Sequence, residues 1–200
     1  AVLVNAVYIV KQRIDLIGRP TGMDDANIFA ISSTGFTQGF DYPASLREDI
    51  DYLRSVPGVI AATPVNAIPL SGGGSSNSIS TMPGESAKAP IGNYFQVNEH
   101  GMETLGLRLV EGRNFLPHEI QPPPDNVGAS YAPQIIVTRA FAKTLFPDGK
   151  ALGKTVYDLR DRPMTIIGVV DTMLGSWLAN DHPDHVYLSP QLTYGPSVDY

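Results

Sequence analysis

The chain has 200 residues, of which 42% are hydrophobic, with 17 prolines, 19 glycines, no cysteine and a formal net charge of −6. That length and apolar share suit one large domain or two small ones with a real core and exclude wholesale disorder; the turn residues argue against a helical bundle. Dispersed basic residues in an acidic chain exclude a nucleic-acid surface, and the lack of cysteine excludes disulfides, thiolate metal sites and cysteine nucleophiles.

No run reaches the ~20 apolar residues a membrane span requires. The opening AVLVNAVYIV is apolar, however, and Leu3, Ala6 or Val7, Val10, Ile14 and Ile17 keep a helical period that Gly18-Arg19-Pro20 stops. Residues 1–20 read as the end of a transmembrane or stalk helix, the plainer alternative being an ordinary amphipathic helix. Lys11, Arg13 and Arg19 disagree with an outward exit under the positive-inside rule, which is a statistical bias over several loops.

Asn27 to Gly35 reads as a first strand. Asp41 to Pro43 caps and starts a helix with Leu46, Ile50 and Leu53 on one face, ended by Pro57-Gly58. Val59 to Ile68 reads as a strand, and Pro64 inside it predicts an edge or a bulge. The two strands, with Ile28 to Ala30 and Val59 to Ala62 in one sheet, would make a strand–helix–strand unit. Ser71 to Ser78 (SGGGSSNS) lacks the Gly-Lys-Ser/Thr and following helix of a phosphate loop, so it reads as a hairpin or connection before an extended Ile79 to Met82.

Tyr94 to Asn98 is a strand whose last residue can cap a short helix from His100 to Leu105, closed by Gly106 in the left-handed conformation. Leu107 to Phe115 is turn-rich and partly extended, and Gln121 to Tyr131 is a loop stiffened by three prolines. From Pro133 the apolar patterning is densest. Ile135 to Val137 is a buried strand, and Thr138 caps a helix carrying Phe141, Ala142, Leu145 and Phe146. Pro147 ends it, Asp148-Gly149 turns, and Thr155 to Leu159, Arg160 to Pro163 and Met164 to Val170 read as strand, hairpin connection and buried strand. Phe141, Leu145, Ile136, Ile166 and Val169 are expected in one core. Leu174 to Asp184 connects to a strand from His185 to Leu188, and no closing element is visible from Gly195 to Tyr200.

Phe146-Pro147, Leu152-Gly153-Lys154 and Ile167-Gly168-Val169-Val170 in this order resemble the periplasmic core domain of MacB-type ABC transporter permeases. LGLRLVEGRNF (105–115), with Gly106, Gly112, Arg113 and Phe115, and LRSVPGV (53–59), with Pro57 and Gly58, are similar to further segments of that family. No motif is specific alone; their joint order, from about Ile28 to Pro190, is. The resemblance implies an α+β periplasmic domain of two lobes: a βαβ, porter-like lobe from 24–90 and 183–200, and a smaller α/β lobe inserted at 91–182. It also implies a non-catalytic part of an inner-membrane transporter in a Gram-negative periplasm, which the lack of cysteine fits. Such a domain would transmit ATP-driven motion to a periplasmic substrate. Its implied partners are a second permease copy or paralogue, an ATPase domain or subunit, and a periplasmic adaptor or outer-membrane channel. No cofactor is implied. The rival classes are a soluble ligand-binding module and a hydrolase.

Few residues offer chemistry. Asp181-His182-Pro183-Asp184-His185 has ligand types, but proline blocks a helix that would align the imidazoles, so it reads as a polar turn and no metal is expected. His100 beside Glu99 and His118 beside Glu119 lack an orienting third group, and all four histidines are expected to lie apart. Asp24-Asp25 and Glu48-Asp49-Asp51 read as solvated. Trp177, alone among leucines in a long connection, is either a partner anchor or a lid packed on the sheet.

Overall fold

The computed structural model describes residues 2–35, 41–122, 131–193 and 197–200, without the side chains of residues 2–4, 12–13 and 15–17. The side chains of Leu3, Arg13 and Ile17, and positions 123–130 of the expected proline-stiffened loop, lie outside the described residues. The first helix, α1 (Val2–Ile17), carries Val7, Val10 and Ile14 at 62%, 54% and 62% exposure, so among the described residues this face is largely uncovered. Among the described residues no helix is long and apolar enough to cross a membrane.

A small layer follows. β1 (Ser32–Thr34) pairs antiparallel with β9 (Ser197–Asp199), and Ile31 and Tyr200 exchange backbone hydrogen bonds at 3.0 and 2.9 Å. Helix α2 (Tyr42–Ser55) starts where expected, because the Asp41 carboxylate accepts the Ala44 N–H at 3.0 Å and proline occupies the first turn. It buries Leu46.

Two expectations are corrected here. The first strand shrinks to Ser32–Thr34, and no strand forms at 59–68 beyond a bridge from Val65 to Asp199, so 28–30 and 59–62 do not share a sheet. Pro64 cannot donate to a ladder, and side chains replace the missing bonds: Thr63 Oγ1 accepts Asn98 N–H at 3.1 Å, and Asn66 Oδ1 accepts Gln96 N–H at 2.7 Å. Second, the C-terminal segment does have a closing element, β9.

The main sheet has seven strands, β2 (Ser75–Ser78), β3 (Ile91–Val97), β4 (Leu109–Gly112), β5 (Gln134–Thr138), β6 (Thr155–Tyr157), β7 (Pro163–Val170) and β8 (Val186–Pro190). Their order is β2-β3-β8-β5-β7-β4, with β6 beside the N-terminal half of β7 and β4 beside its C-terminal half. Pairs β3–β8 and β5–β7 are parallel and the rest antiparallel. A bridge between Ser80 and Tyr157 ties the β2 end back to β6, so the sheet curls on itself. This pairing runs across the expected lobe boundaries, since β2, β3 and β8 share one sheet with β5 and β7.

Each face of the sheet carries a core, as period-two alternation dictates. Phe95, Val97, Ile136, Val186 and Leu188 pack on one side with Met102, Leu105 and Phe115. Ile135, Val137, Ile166, Val169 and Tyr187 pack on the other with Ile79, Phe141 and Leu145. Ile136 therefore does not join Phe141; it points to the opposite face from its neighbours. In β7 the alternation shifts by one after Ile166, where Ile135 pairs Ile166 but Ile136 pairs Gly168. That bulge lets Ile166 and Val169 reach the same core. Helix α4 (Arg139–Leu145), capped by Thr138 Oγ1 accepting Phe141 N–H at 3.4 Å, covers this face. The short α3 (Gly101–Thr104) follows β3, because Asn98 Oδ1 accepts His100 N–H at 2.9 Å, and Gly106 ends it at φ +63°.

Candidate functional site

The residues carrying the family resemblance sort into structural supports. Gly112, at φ +78°, lies where a Cβ would come 2.2 Å from the Ile167 carbonyl oxygen. Gly168, opposite it across β4 and β7, leaves room for the Arg113 carbonyl, 2.6 Å from where its Cβ would stand. Gly106 admits Asp24, whose N–H donates to Leu105 O at 3.2 Å. Arg113 forms a two-pronged ion pair with Glu119, at 2.7 and 2.6 Å. The guanidinium holds the Glu119 carboxyl at about 2, far below its ordinary value, and the Leu116 N–H adds to the effect. Phe115 and Val169 are core. Phe146 is half-buried at the end of α4, whereas Pro57, Gly58, Pro147, Leu152 and Gly153 lie at exposed turns.

The acidic clusters lie at the surface, with Glu48 and Asp51 exposed. Asp24 accepts from Asn27 and Asp25 from Thr21. Asp49, however, accepts the Tyr200 hydroxyl at 2.7 Å, tying α2 to the end of β9; burial and this carboxylate push the Tyr200 pKa up. His100 sits between Glu99 and Glu103, at 3.6 and 3.8 Å, and His118 is exposed. Arg108 and Arg139 both reach Asp171.

His182 and His185 contradict the expectation that the histidines lie apart. His185 N–H donates to His182 O at 3.2 Å, so His182-Pro183-Asp184-His185 folds back as a turn. The rings stack with centroids 4.3 Å apart and planes 6° from parallel. Proline does block a helix, as read from the sequence, but a turn aligns two side chains three apart just as effectively. Asp184 joins them: one ligand atom from each of His182, Asp184 and His185 lies within 4.8 Å of the others.

His185 is 4% exposed and sits on Phe141, ring centroids 5.1 Å apart. Its Nε2 meets Thr144 Oγ1 at 3.0 Å and its ring also hydrogen-bonds the backbone of Ile91. Burial, then the neighbouring His182, depress its pKa. The turn opens on a cavity of about 640 Å³ lined by Ser76, Asn93, Thr144, Asn180, His182 and His185 among others.

Trp177 is half-buried and lies in the connection that roofs this region. The flanking chain is held down by Leu174 N–H to Thr21 O at 2.9 Å, Gly175 N–H to Pro183 O at 2.7 Å, and Gly72 N–H to Ser176 O at 3.0 Å.

Two features had no signal in the sequence. Asn93, 3% exposed beneath Gly175, has an Oδ1 with no hydrogen-bond partner among the described residues. A groove of about 290 Å³ collects Phe29, Ile31, Leu53, Ile60 and Tyr200, with Phe29 66% and Ile60 84% exposed. Its parts lie far apart in the chain.

The family model described as the MacB-like periplasmic core domain matches residues 7–198. Among solved structures, the periplasmic region of MacB from Actinobacillus actinomycetemcomitans superposes with a TM-score of 0.53 at 17% identity, covering 92% of this chain and 78% of that one. The extracellular domain of the noncanonic ABC-type transporter YknZ from Gram-positive bacteria gives 0.47 at 18% identity, covering 80% and 73%. The first likeness shows the shared α+β fold. No curated protein matches the chain by sequence.

Proposed function

We infer that this chain, which belongs to the MacB-like periplasmic core domain family, works as the extracytoplasmic domain of an ABC transporter permease and transmits motion rather than catalysing a reaction. ATP hydrolysis would occur in a separate ATPase domain or subunit. Closure there would displace this domain against a second permease copy or paralogue and drive a substrate outward, through an adaptor or channel where one exists. The observation that supports this reading most is the sheet itself. Its strands run from residue 75 to residue 190 in one curled layer with a packed core on each face. Close-packed interiors deform little, so a push at one end arrives at the other. The Asp49–Tyr200 bond and the β1–β9 pair fasten the small layer back on itself.

The test is to break the mechanical path without touching the body. Six Gly-Ser residues inserted after Gly18, where α1 ends, make the connection flexible in the full-length transporter. ATP hydrolysis should persist while transport is lost. Transport at the unmodified rate would end the transmission reading.

The groove of exposed Phe29 and Ile60 supports a second reading, a ligand-binding module. Saturable, micromolar binding of an apolar ligand, lost in Ile60→Asp, would favour it.

A further inference from the structure

We propose that His182, Asp184 and His185 form a binding site for a divalent transition-metal ion, of the class zinc represents, at the mouth of the 640 Å³ cavity. The donor set is two imidazoles and a carboxylate, which suits a borderline ion and leaves a fourth position for water.

The geometry is nearly assembled. Bonds of about 2.0–2.2 Å in a tetrahedral site put ligand atoms roughly 3.4 Å apart. The three atoms here lie within 4.8 Å of one another before any ion draws them in. One adjustment is required: an ion must lie in the plane of each imidazole it binds, and planes 6° from parallel do not meet nearby. His182 is exposed and must turn out of the stack. His185 stays fixed by Phe141 beneath it and by the Ile91 backbone. A ligand histidine anchored to a backbone group through its ring is the usual orienting arrangement in metal sites. Its Nε2 faces only the hydroxyl of Thr144, an exposed residue that can turn to water.

A second observation points into the same cavity. Asn93 lines it, is 3% exposed, and carries an Oδ1 with no partner, while its Nδ2 points at His185 O, 3.5 Å away. A buried amide oxygen left unpaired is unfavourable, so it marks a place where a polar partner is wanted.

The experiment titrates the full chain with zinc chloride alone by calorimetry, and with cobalt chloride by visible absorption. One ion per chain is expected, with the intense cobalt bands of a tetrahedral site. His182→Ala and Asp184→Asn touch exposed or half-buried groups, so their metal-free melting should match the parent. Losing a ligand should weaken zinc at least as much as losing a ligand's orienting partner, about 10–100-fold. His100→Ala should change nothing. Binding that is absent, or equal in His182→Ala and the parent, overturns the site.

Discussion

Replacing Gly112 by alanine isolates a close approach that the fold imposes on one residue. A left-handed alanine costs about 1–2 kcal/mol by itself. At 112 the new methyl would also stand 2.2 Å from the Ile167 carbonyl oxygen and 2.9 Å from Gly168 Cα. Leu152 Cδ1, at 2.6 Å, belongs to an exposed side chain and can swing away; the carbonyl cannot. Moving it sacrifices the 3.0 Å bond it accepts from Arg113 N–H, about another 1 kcal/mol, and loosens the β4–β7 pairing. Gly149, at φ +75° with nothing within 4 Å of its Cβ position, is the internal control, since it carries the backbone cost alone. Urea unfolding should show Gly112→Ala losing about 3 kcal/mol and Gly149→Ala about 1–2. Equal losses at the two positions would refute the argument from the Ile167 carbonyl.

Phe141, 0% exposed against His185 and Tyr187, should cost about 3–5 kcal/mol as alanine, read as a fall in the urea midpoint. Asp158 is 3% exposed, accepts the N–H groups of Arg160 and Arg162 and pairs with the Arg162 guanidinium at 2.6 Å; Asp158→Ala should lose on the order of 2–3 kcal/mol, measured the same way. Glu119 gives a pH dependence. Its folded value of about 2 lies below its ordinary 4.5, so its contribution is complete above about 4.5 and is lost as pH falls through that window toward 2. Arg113 is 44% exposed, so screening limits the contribution to about 1 kcal/mol. Parent and Glu119→Gln should therefore differ at pH 7 and converge near pH 2; a constant difference would contradict the pairing.

The parts read correctly from the sequence are those decided by neighbours in the chain. Asp41, Thr138 and Gly106 cap or close helices through bonds within four residues, and the 133–170 stretch announces its strands by β-branched runs. What failed depends on distant partners. Val59 to Ile68 has strand composition, yet Pro64 removes a donor and the amides of Asn66 and Asn98 complete the bonding instead. Ile136 and Phe141 share apolar character and neighbouring positions, yet alternation sends Ile136 to the other face. The β7 bulge arises from pairing with β5, a separate strand earlier in the chain, and the return of β9 from pairing with β1 near the other end, which no local pattern encodes. The family residues were legible as glycine and turn positions, but Gly112 and Gly168 explain themselves only once β4 and β7 are adjacent. The histidine pair has no helix to align it, and the turn at Pro183 brings it together instead.

The transmission of motion is tested most directly by distances in the working transporter. This domain has no cysteine, so spin labels can be placed at Tyr52→Cys and Leu159→Cys, both more than half exposed. Labels go into the full-length permease with its ATPase, and pulsed dipolar spectroscopy compares nucleotide-free and ATP-trapped states. The distance between Tyr52→Cys and Leu159→Cys within one domain should stay the same, while the distance between Leu159→Cys on two copies should change. An unchanged distance between copies, or a change confined to the single domain, would contradict a rigid body that carries motion.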